Sequence, residues 1–353
     1  HPGSAKMTNL DLLEALCKTP GLPGREQKVS DLIRSHLPTG LEARESNKGD
    51  LLVRLPGAGR RVLFLAHLDE VGLIVSRILA NGCLRVERLG GFSVHCMPGA
   101  ELTLHTSGGQ ISASVATQPT HLMQGRKELF GLNELYVEIG ARSAEEVRSM
   151  GVRVGDGLTW PARFERIGEN RIRGKALDDR LGCFALCQLV EALKTKEHTY
   201  DLYFGFTTQE ETSTLGAAPL VEMCQPDLVI GIDAGLTFDS ADDSNPVCDI
   251  RLGNGPCLKY FEAIRGKNSF VPDWETTFRI SRFLEKNNLP FQAEASTGLL
   301  SAVCTLPSLK EGLRVIAFSI PVRYQHTPTE VADIQDLDLL VKITIELVEQ
   351  GIL

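Results

Sequence analysis

Five side chains of metal-ligand type stand at, or a few residues past, the end of strand-like runs in this chain. Val62-Leu63-Phe64-Leu65-Ala66 leads into His67-Leu68-Asp69, and the weaker run Arg171-Ile172-Arg173-Gly174-Lys175-Ala176-Leu177 leads into Asp178-Asp179. Leu202–Phe206 leads into Glu210-Glu211, Leu228–Ile232 into Asp233, and Val315–Ile320 into Tyr324-Gln325-His326. Open α/β sheets bind ligands in the crevice beyond the carboxyl ends of their strands. Two imidazoles and three or more carboxylates converging there would form a binuclear site of oxygen and nitrogen donors. The chemistry expected of such a site is metal-assisted hydrolysis.

Each residue also has a plainer reading. A strand-end histidine such as His67 is commonly a structural residue with both ring nitrogens hydrogen-bonded. Asp178 and Asp179 precede the apolar stretch Leu181–Leu193, where aspartate suits a helix cap and the macrodipole. Paired glutamates usually sit on solvated surface, Asp233 would pass for a turn residue, and His326 for a surface histidine. Taken jointly, five such placements point to a site. Asp69 could then hydrogen-bond the far nitrogen of His67 and fix its tautomer. Asp178 could bridge two ions with Asp179 and Arg180 as support. Of the adjacent glutamates, Glu211 could coordinate and leave Glu210 as general base. A bound divalent ion lowers the pKa of water from about 15.7 to about 7, and a base must still carry the proton to the leaving amine.

The elements that position these residues read as an interrupted α/β pattern. Two helical stretches open the chain around the turn Pro20-Gly21-Leu22-Pro23-Gly24, the second with Val29, Leu32, Ile33 and Leu37 at helical spacing. Strands are predicted at Leu51–Leu55 and Arg61–Ala66. From about Leu73 to Phe164 the texture changes to short alternating segments, such as Leu84–Arg88, Glu101–His105 and Gln110–Val115, parted by Asn81-Gly82 and Ser107-Gly108-Gly109. Helix–strand alternation resumes after Gly174, with helices predicted at Leu181–Leu193 and Asp336–Val348. The domain reading is a catalytic unit in two parts, 7–72 and 165–353, interrupted by a β-rich insertion at 73–164.

Bulk properties narrow the partners. The chain has 353 residues, 42% of them hydrophobic, and a net charge of −8. That balance argues against nucleic acid and against an anionic membrane surface. No apolar run reaches the roughly 18 residues of a membrane span, and no secretory signal is read. His1-Pro2-Gly3-Ser4-Ala5-Lys6 before Met7 reads as a tag remnant outside the fold. The nine cysteines are scattered without CxxC spacing, so neither a disulfide framework nor a zinc–cysteine site is expected. Cys183 and Cys187, one helical turn apart, read as core residues. The expected compartment is the reducing cytoplasm.

Ala66-His67-Leu68-Asp69-Glu70-Val71-Gly72, Gly174–Gly182 and Gln209-Glu210-Glu211, with Arg323-Tyr324-Gln325-His326-Thr327-Pro328, resemble the motifs of the tetrahedral aminopeptidases, a group that includes glutamyl aminopeptidases. Pro119-Thr120-His121-Leu122 is similar to a shorter stretch of that family, and the resemblance runs over nearly the whole chain from Met7. It implies an α/β fold: a mixed-sheet, sandwich-type metallopeptidase domain with a small inserted β-rich dimerisation domain. It implies that His67 and Asp233 hold one ion, Glu211 and His326 the other, and that Asp178 bridges them. Glu210 would be the general base and Asp69 the partner of His67. The implied cofactors are two divalent ions per chain, zinc or cobalt, with manganese also fitting the donors. The implied substrates are short peptides, and the implied assembly runs from dimers to a hollow dodecamer. Two departures stand out. Thr212-Ser213 replaces the family's Val-Gly after the paired glutamates, and Ala295-Ser296-Thr297-Gly298-Leu299 keeps the threonine but lacks the aspartate of the family's Gly-Gly-Thr-Asp-Ala stretch. The competing readings are a metal-dependent deacylase and a metal-binding scaffold without turnover. A glycosidase would need two carboxylates flanking a sugar bond rather than carboxylates mixed with histidines.

Overall fold

The computed structural model describes residues 10–123, 130–213, 216–237, 239, 248–264, 269–298, 301 and 303–353. The tag remnant and Leu299 lie outside the described residues. The chain begins with α1 (Asp11–Lys18), α2 (Gln27–His36), β1 (Glu42–Glu45), β2 (Leu51–Leu55) and β3 (Arg61–His67). It continues into β4 (Gly72–Ile78), β5 (Leu84–Leu89), β6 (Glu101–Thr106), β7 (Gly109–Val115), β8 (Val137–Glu138), α3 (Ala144–Ser149) and β9 (Gly157–Thr159). Next come β10 (Phe164–Ile167), β11 (Arg171–Gly174), α4 (Leu177–Leu193), β12 (Asp201–Thr207), α5 (Ala218–Cys224) and β13 (Leu228–Leu236). The last elements are β14 (Cys257–Ala263), β15 (Ser269–Phe270), α6 (Trp274–Lys286), β16 (Gln292–Thr297), β17 (Arg314–Arg323), β18 (Glu330–Asp333) and α7 (Ile334–Glu349).

A 12-stranded mixed sheet organises most of the chain, in the order β1-β2-β12-β3-β13-β17-β18-β11-β10, with β14, β15 and β16 branching from β17. Its centre is parallel: β12 pairs with β3, β3 with β13 and β13 with β17 in the same direction. Parallel strands are buried on both faces and therefore read as near-continuous apolar runs. Alternation sends their side chains to two different cores. Val62, Phe64 and Ala66 of β3 join Ile316, Phe318 and Ile320 of β17 in the cluster under α1, α4 and α7. Leu63 and Leu65 join Val315 and Ala317 in the cluster under α5. Each fully buried Leu, Ile or Phe contributes roughly 1.5–3 kcal/mol, so the sheet centre is the most strongly determined part of the molecule. The fold is the expected mixed α/β sandwich.

Between β3 and β10 the chain forms something separate. Strands β4-β5-β8-β7-β6-β9 close into a barrel, filled by its own core of Leu73, Val86, Phe92, Leu104, Val137, Leu158 and Trp160. Closure leaves no free sheet edge. Phe164, the first residue of β10, already pairs with Gly174 in the large sheet. At the junction the chains are in close contact, since a Cβ on Gly72 would lie 2.3 Å from Leu22 Cδ2 and 2.6 Å from the Leu158 carbonyl oxygen. Among the described residues no helix is long and apolar enough to cross a membrane.

Candidate metal centre

The four parallel central strands deliver the candidate residues side by side. His67 is the last residue of β3, Glu210 and Glu211 follow β12, and His326 follows β17. Asp233 lies within β13 rather than after it, because that strand continues to Leu236 in register with β17, Asp233 opposite Ser319. The apolar run ends at Ile232, yet ladder hydrogen bonds carry the strand onward. Asp178 approaches from the start of α4, where Asp178 and Asp179 depart from helical geometry and are joined by a cis peptide bond.

All seven predicted residues gather. His67 Nε2 is 3.1 Å from Asp178 Oδ1, 3.6 Å from Asp233 Oδ1 and 3.7 Å from Glu210 Oε2. His326 Nε2 is 3.0 Å from Asp178 Oδ2 and 3.3 Å from Glu211 Oε1. The two oxygens of Asp178 therefore face two different imidazoles. Asp69 is fully buried and lies 3.4 Å from His67 Nδ1. Its oxygens also accept the backbone N–H groups of Glu210 and Glu211, at 3.0 and 2.9 Å. One carboxylate thus lies beside the imidazole and holds the loop that carries the paired glutamates. Asp179 fulfils the capping expectation, accepting the Gly182 N–H at 3.0 Å and the His67 N–H at 3.1 Å.

Several supporting residues lie outside the predicted set. Glu330, 2% exposed, accepts the Asp178 N–H at 3.2 Å through one oxygen and the His326 N–H at 2.7 Å through the other. Gln325 donates to Asp178 Oδ2. Glu70 takes both hydrogen bonds of the buried Lys175 ammonium, at 2.6 and 2.8 Å, and Arg180 donates to the Leu68 carbonyl at 2.9 Å. The Asp178 loop is therefore clamped to the end of β3. Glu26 accepts from Gln209, the residue before the paired glutamates, at 2.9 Å. Arg180 is the support that the sequence names for Asp178, whereas the signal for Glu70 and Lys175 is only their place inside the motif stretches. Glu26, in the loop before α2, and Glu330, at the start of β18, carry none beyond being carboxylates. His121 lies in a 3-10 turn, Thr120–Leu122, that contributes to none of these contacts.

The loops that carry ligands are strained. Ala176, Gln209, Tyr324 and His326 adopt φ of 55, 58, 58 and 61° without being glycine. Such conformations cost about 1–3 kcal/mol each and persist where the surroundings over-determine them.

Electrostatics show what the cluster lacks. Burial alone would pull the His67 imidazole down, but Glu210, Asp178, Asp233 and Asp69 outweigh it and hold it well above its ordinary range. His326 is likewise opposed by burial, yet Asp178 and Glu211 push it up to about 12. Burial raises Glu210 well above the usual carboxylate range and takes Glu211 to about 7. Asp178 is buried too, yet its hydrogen bonds with His326 and His67 hold it low. Carboxylates packed this densely hold protons, or make their imidazoles hold them, unless another cation is present. The Glu211 Oε1 atom is buried and, among the described residues, has no hydrogen-bond partner. Donor atoms of His67, Asp178 and Glu211 lie within 4.8 Å of one another, as do those of His67, Asp179 and Asp233. Asp179 is already committed to two N–H groups, so Asp178 is the better donor. Oxygen and imidazole donors, excess negative charge and orphaned lone pairs fit a metal ion.

The profile of the M42 glutamyl aminopeptidases matches residues 49–343. The chain belongs to the M42 family. It is accordingly an aminopeptidase, a hydrolase, as the motif resemblance implied. Among curated M42-like relatives, the lysyl aminopeptidase of Pyrococcus furiosus is 28% identical, covering 98% of each chain. Among solved structures, the aminopeptidase APDkam598 of the archaeon Desulfurococcus kamchatkensis superposes with a TM-score of 0.88 at 29% identity, over 97% of this chain and 94% of that one. The Pyrococcus horikoshii TET1 peptidase superposes with a TM-score of 0.86 at 26% identity, over 96% and 98%. That peptidase can assemble into a tetrahedron or a large octahedral shell.

Proposed function

We propose that this M42 enzyme is a two-metal aminopeptidase that removes N-terminal residues from short peptides. The observation that carries the reading is the division of Asp178 between His67 at 3.1 Å and His326 at 3.0 Å, as a bridging carboxylate requires. In this reading His67 and Asp233 hold one divalent ion, Glu211 and His326 the other. Zinc or cobalt suits the donors, and manganese is compatible. Bound there, the ions would acidify a water and polarise the scissile carbonyl.

The rest falls to the chain itself. Glu210 takes the proton of the attacking water and delivers it to the leaving amine. Asp69 accepts the N–H groups of both glutamates and so fixes the backbone on either side of Glu210, while Glu211 is the neighbour that coordinates. Asp69 also holds His67 in the tautomer that leaves Nε2 facing the cluster. The barrel segment, 73–164, is proposed to pair chains as a dimerisation domain, with pairs building a dodecameric shell. The assembly of the structurally similar Pyrococcus horikoshii peptidase and the barrel's independent core support this.

Aminoacyl chromogenic substrates, assayed with zinc, cobalt and manganese beside N-acetylated controls, test the reaction. Cleavage only of free-amine substrates is expected; release of acetyl groups would instead indicate a deacylase, and silence with all metals a scaffold. Glu210→Gln should lower turnover by roughly 10²–10⁴-fold while about two ions per chain remain. An unchanged rate would refute the base assignment. Light scattering that finds single chains at every concentration would refute the assembly.

A further inference from the structure

His326 is held differently from His67. Its Nδ1 meets no carboxylate; it contacts the carbonyl oxygen of Gly91, 235 residues away in sequence. A carbonyl oxygen only accepts, so Nδ1 must donate, and the neutral ring then turns an unprotonated Nε2 toward Asp178 and Glu211. Gly91 belongs to the loop that leaves β5 of the barrel. That loop is anchored on the barrel side. Phe92 is buried edge-on against Trp160, with ring centroids 5.8 Å apart, and the Arg88 guanidinium donates to the Phe92 carbonyl at 2.8 Å. On the other side it is wedged into the site. Gly90 has a φ of +88°, and a Cβ there would lie 2.7 Å from Val71 Cγ1 and 3.2 Å from Glu211 Cβ.

We infer that the barrel completes the metal centre: its Gly90-Gly91 loop is the positioning element that fixes the His326 tautomer and the seat of Glu211. The inference rests on the two-metal reading and goes beyond it. The barrel does more than pair chains, and the two halves of the centre have different dependence on it. His67 and Asp233 are seated on strands of the large sheet, with Asp179 and Asp69 beside His67, whereas His326 and Glu211 keep their geometry only while the barrel loop presses against them. A shift of the barrel, including one imposed by pairing with a second copy, is thereby transmitted to one ion and not to the other.

Metal binding, measured by titration calorimetry and by metal content after dialysis, tests this on full-length chains. Wild-type protein should bind two zinc ions. Gly90→Ala should keep one ion and bind the other roughly 10–100-fold more weakly, as loss of an outer contact to a ligating histidine does. Arg88→Ala, on an exposed side chain, should weaken the same ion by a smaller factor, and it decides the matter if Gly90→Ala does not fold. Gly99→Ala imposes the same kind of strain (φ +78°) elsewhere in the barrel and should bind both ions as wild type does. Two unchanged affinities in the Gly90 and Arg88 variants would overturn the inference while leaving the two-metal reading intact. Equal weakening in Gly99→Ala would overturn it as well, since any barrel strain would then suffice. A wild-type chain that binds no ion would overturn both.

Discussion

The two imidazole ends of the candidate centre are built on opposite principles. His67 ends a central parallel strand, is 2% exposed, and has its backbone N–H taken by Asp179 and Asp69 beside its ring. His326 sits on a turn beyond β17 with φ of 61°; its side chain is 26% exposed, and it is held by Glu330 from behind and by the barrel loop from the side. One end is an extension of the hydrophobic core, and the other is an agreement among loops. Core-built sites resist perturbation because moving them means repacking a dense interior. Loop-built sites respond to neighbours, which makes them the place where assembly or substrate can act.

The largest test of this contrast is the residue both ends share. Asp178→Asn should cost both ions, each by more than about 10-fold in affinity, and turnover should fall with metal content; retention of either ion at wild-type affinity would contradict a bridging role. Removing the imidazoles one at a time should then separate the ends. In metal-free protein His67→Ala strands buried carboxylates without their counter-charge and should destabilise the fold by about 3–5 kcal/mol. His326→Ala, whose ring is partly exposed although its carboxylate partners are buried, should cost less, about 1–3 kcal/mol, while eliminating one ion. Equal losses in chemical denaturation would show that the ends are alike after all. Glu330→Gln is subtler. It places an amide where the N–H groups of His326 and of the shared Asp178 need acceptors, and should weaken the His326 ion roughly 10-fold and the other by a smaller factor, as calorimetry would show.

The smallest expected effect on the ions concerns Glu26, which accepts from Gly24 and Gln209 through one oxygen and acts on stability instead. Burial, aided by the charge of Asp69, pushes its carboxyl up to about 7. Its folded pKa lies above the unfolded one, so the folded chain binds the extra proton. Its stability contribution is complete below about pH 4.5 and is lost as pH rises through about 7. Glutamine keeps the accepting oxygen and carries no charge. Metal-stripped Glu26→Gln should therefore gain stability relative to wild type between pH 5 and 8, by at most about 3 kcal/mol. Parallel melting curves across that range would exclude this account.

The apolar runs of β3, β12, β13 and β17 were readable because a strand buried on both faces leaves no polar alternation to misplace. The ligands were readable because those runs end in residues that the core does not need. Asp233 was placed after its strand because the apolar run stops at Ile232, while the ladder with β17 continues to Leu236. Ladder pairing is a property of two strands, and one strand's composition does not report it. The change in texture near Leu73 pointed to a β-rich insertion, but six short strands closing into a barrel depend on pairings among segments far apart.

Glu26 and Glu330 escaped notice for the same reason. Each is an ordinary carboxylate, Glu26 in a loop and Glu330 at the start of β18, until folding surrounds it with N–H donors and removes the water. The Gly90-Gly91 pair reads as a simple turn, and nothing local ties it to a histidine 235 positions later. Local sequence determined which central strands form and which side chains of metal-ligand type stand at or near their carboxyl ends, because hydrophobic periodicity and residue type act over a few residues. Only the tertiary structure decided that Asp178 divides itself between two imidazoles, that Asp69 holds both a histidine and the glutamate loop, and that the barrel reaches into the centre. Those contacts are made by distant segments, and their strength comes from a shared, dehydrated interior that exists only once the chain has folded.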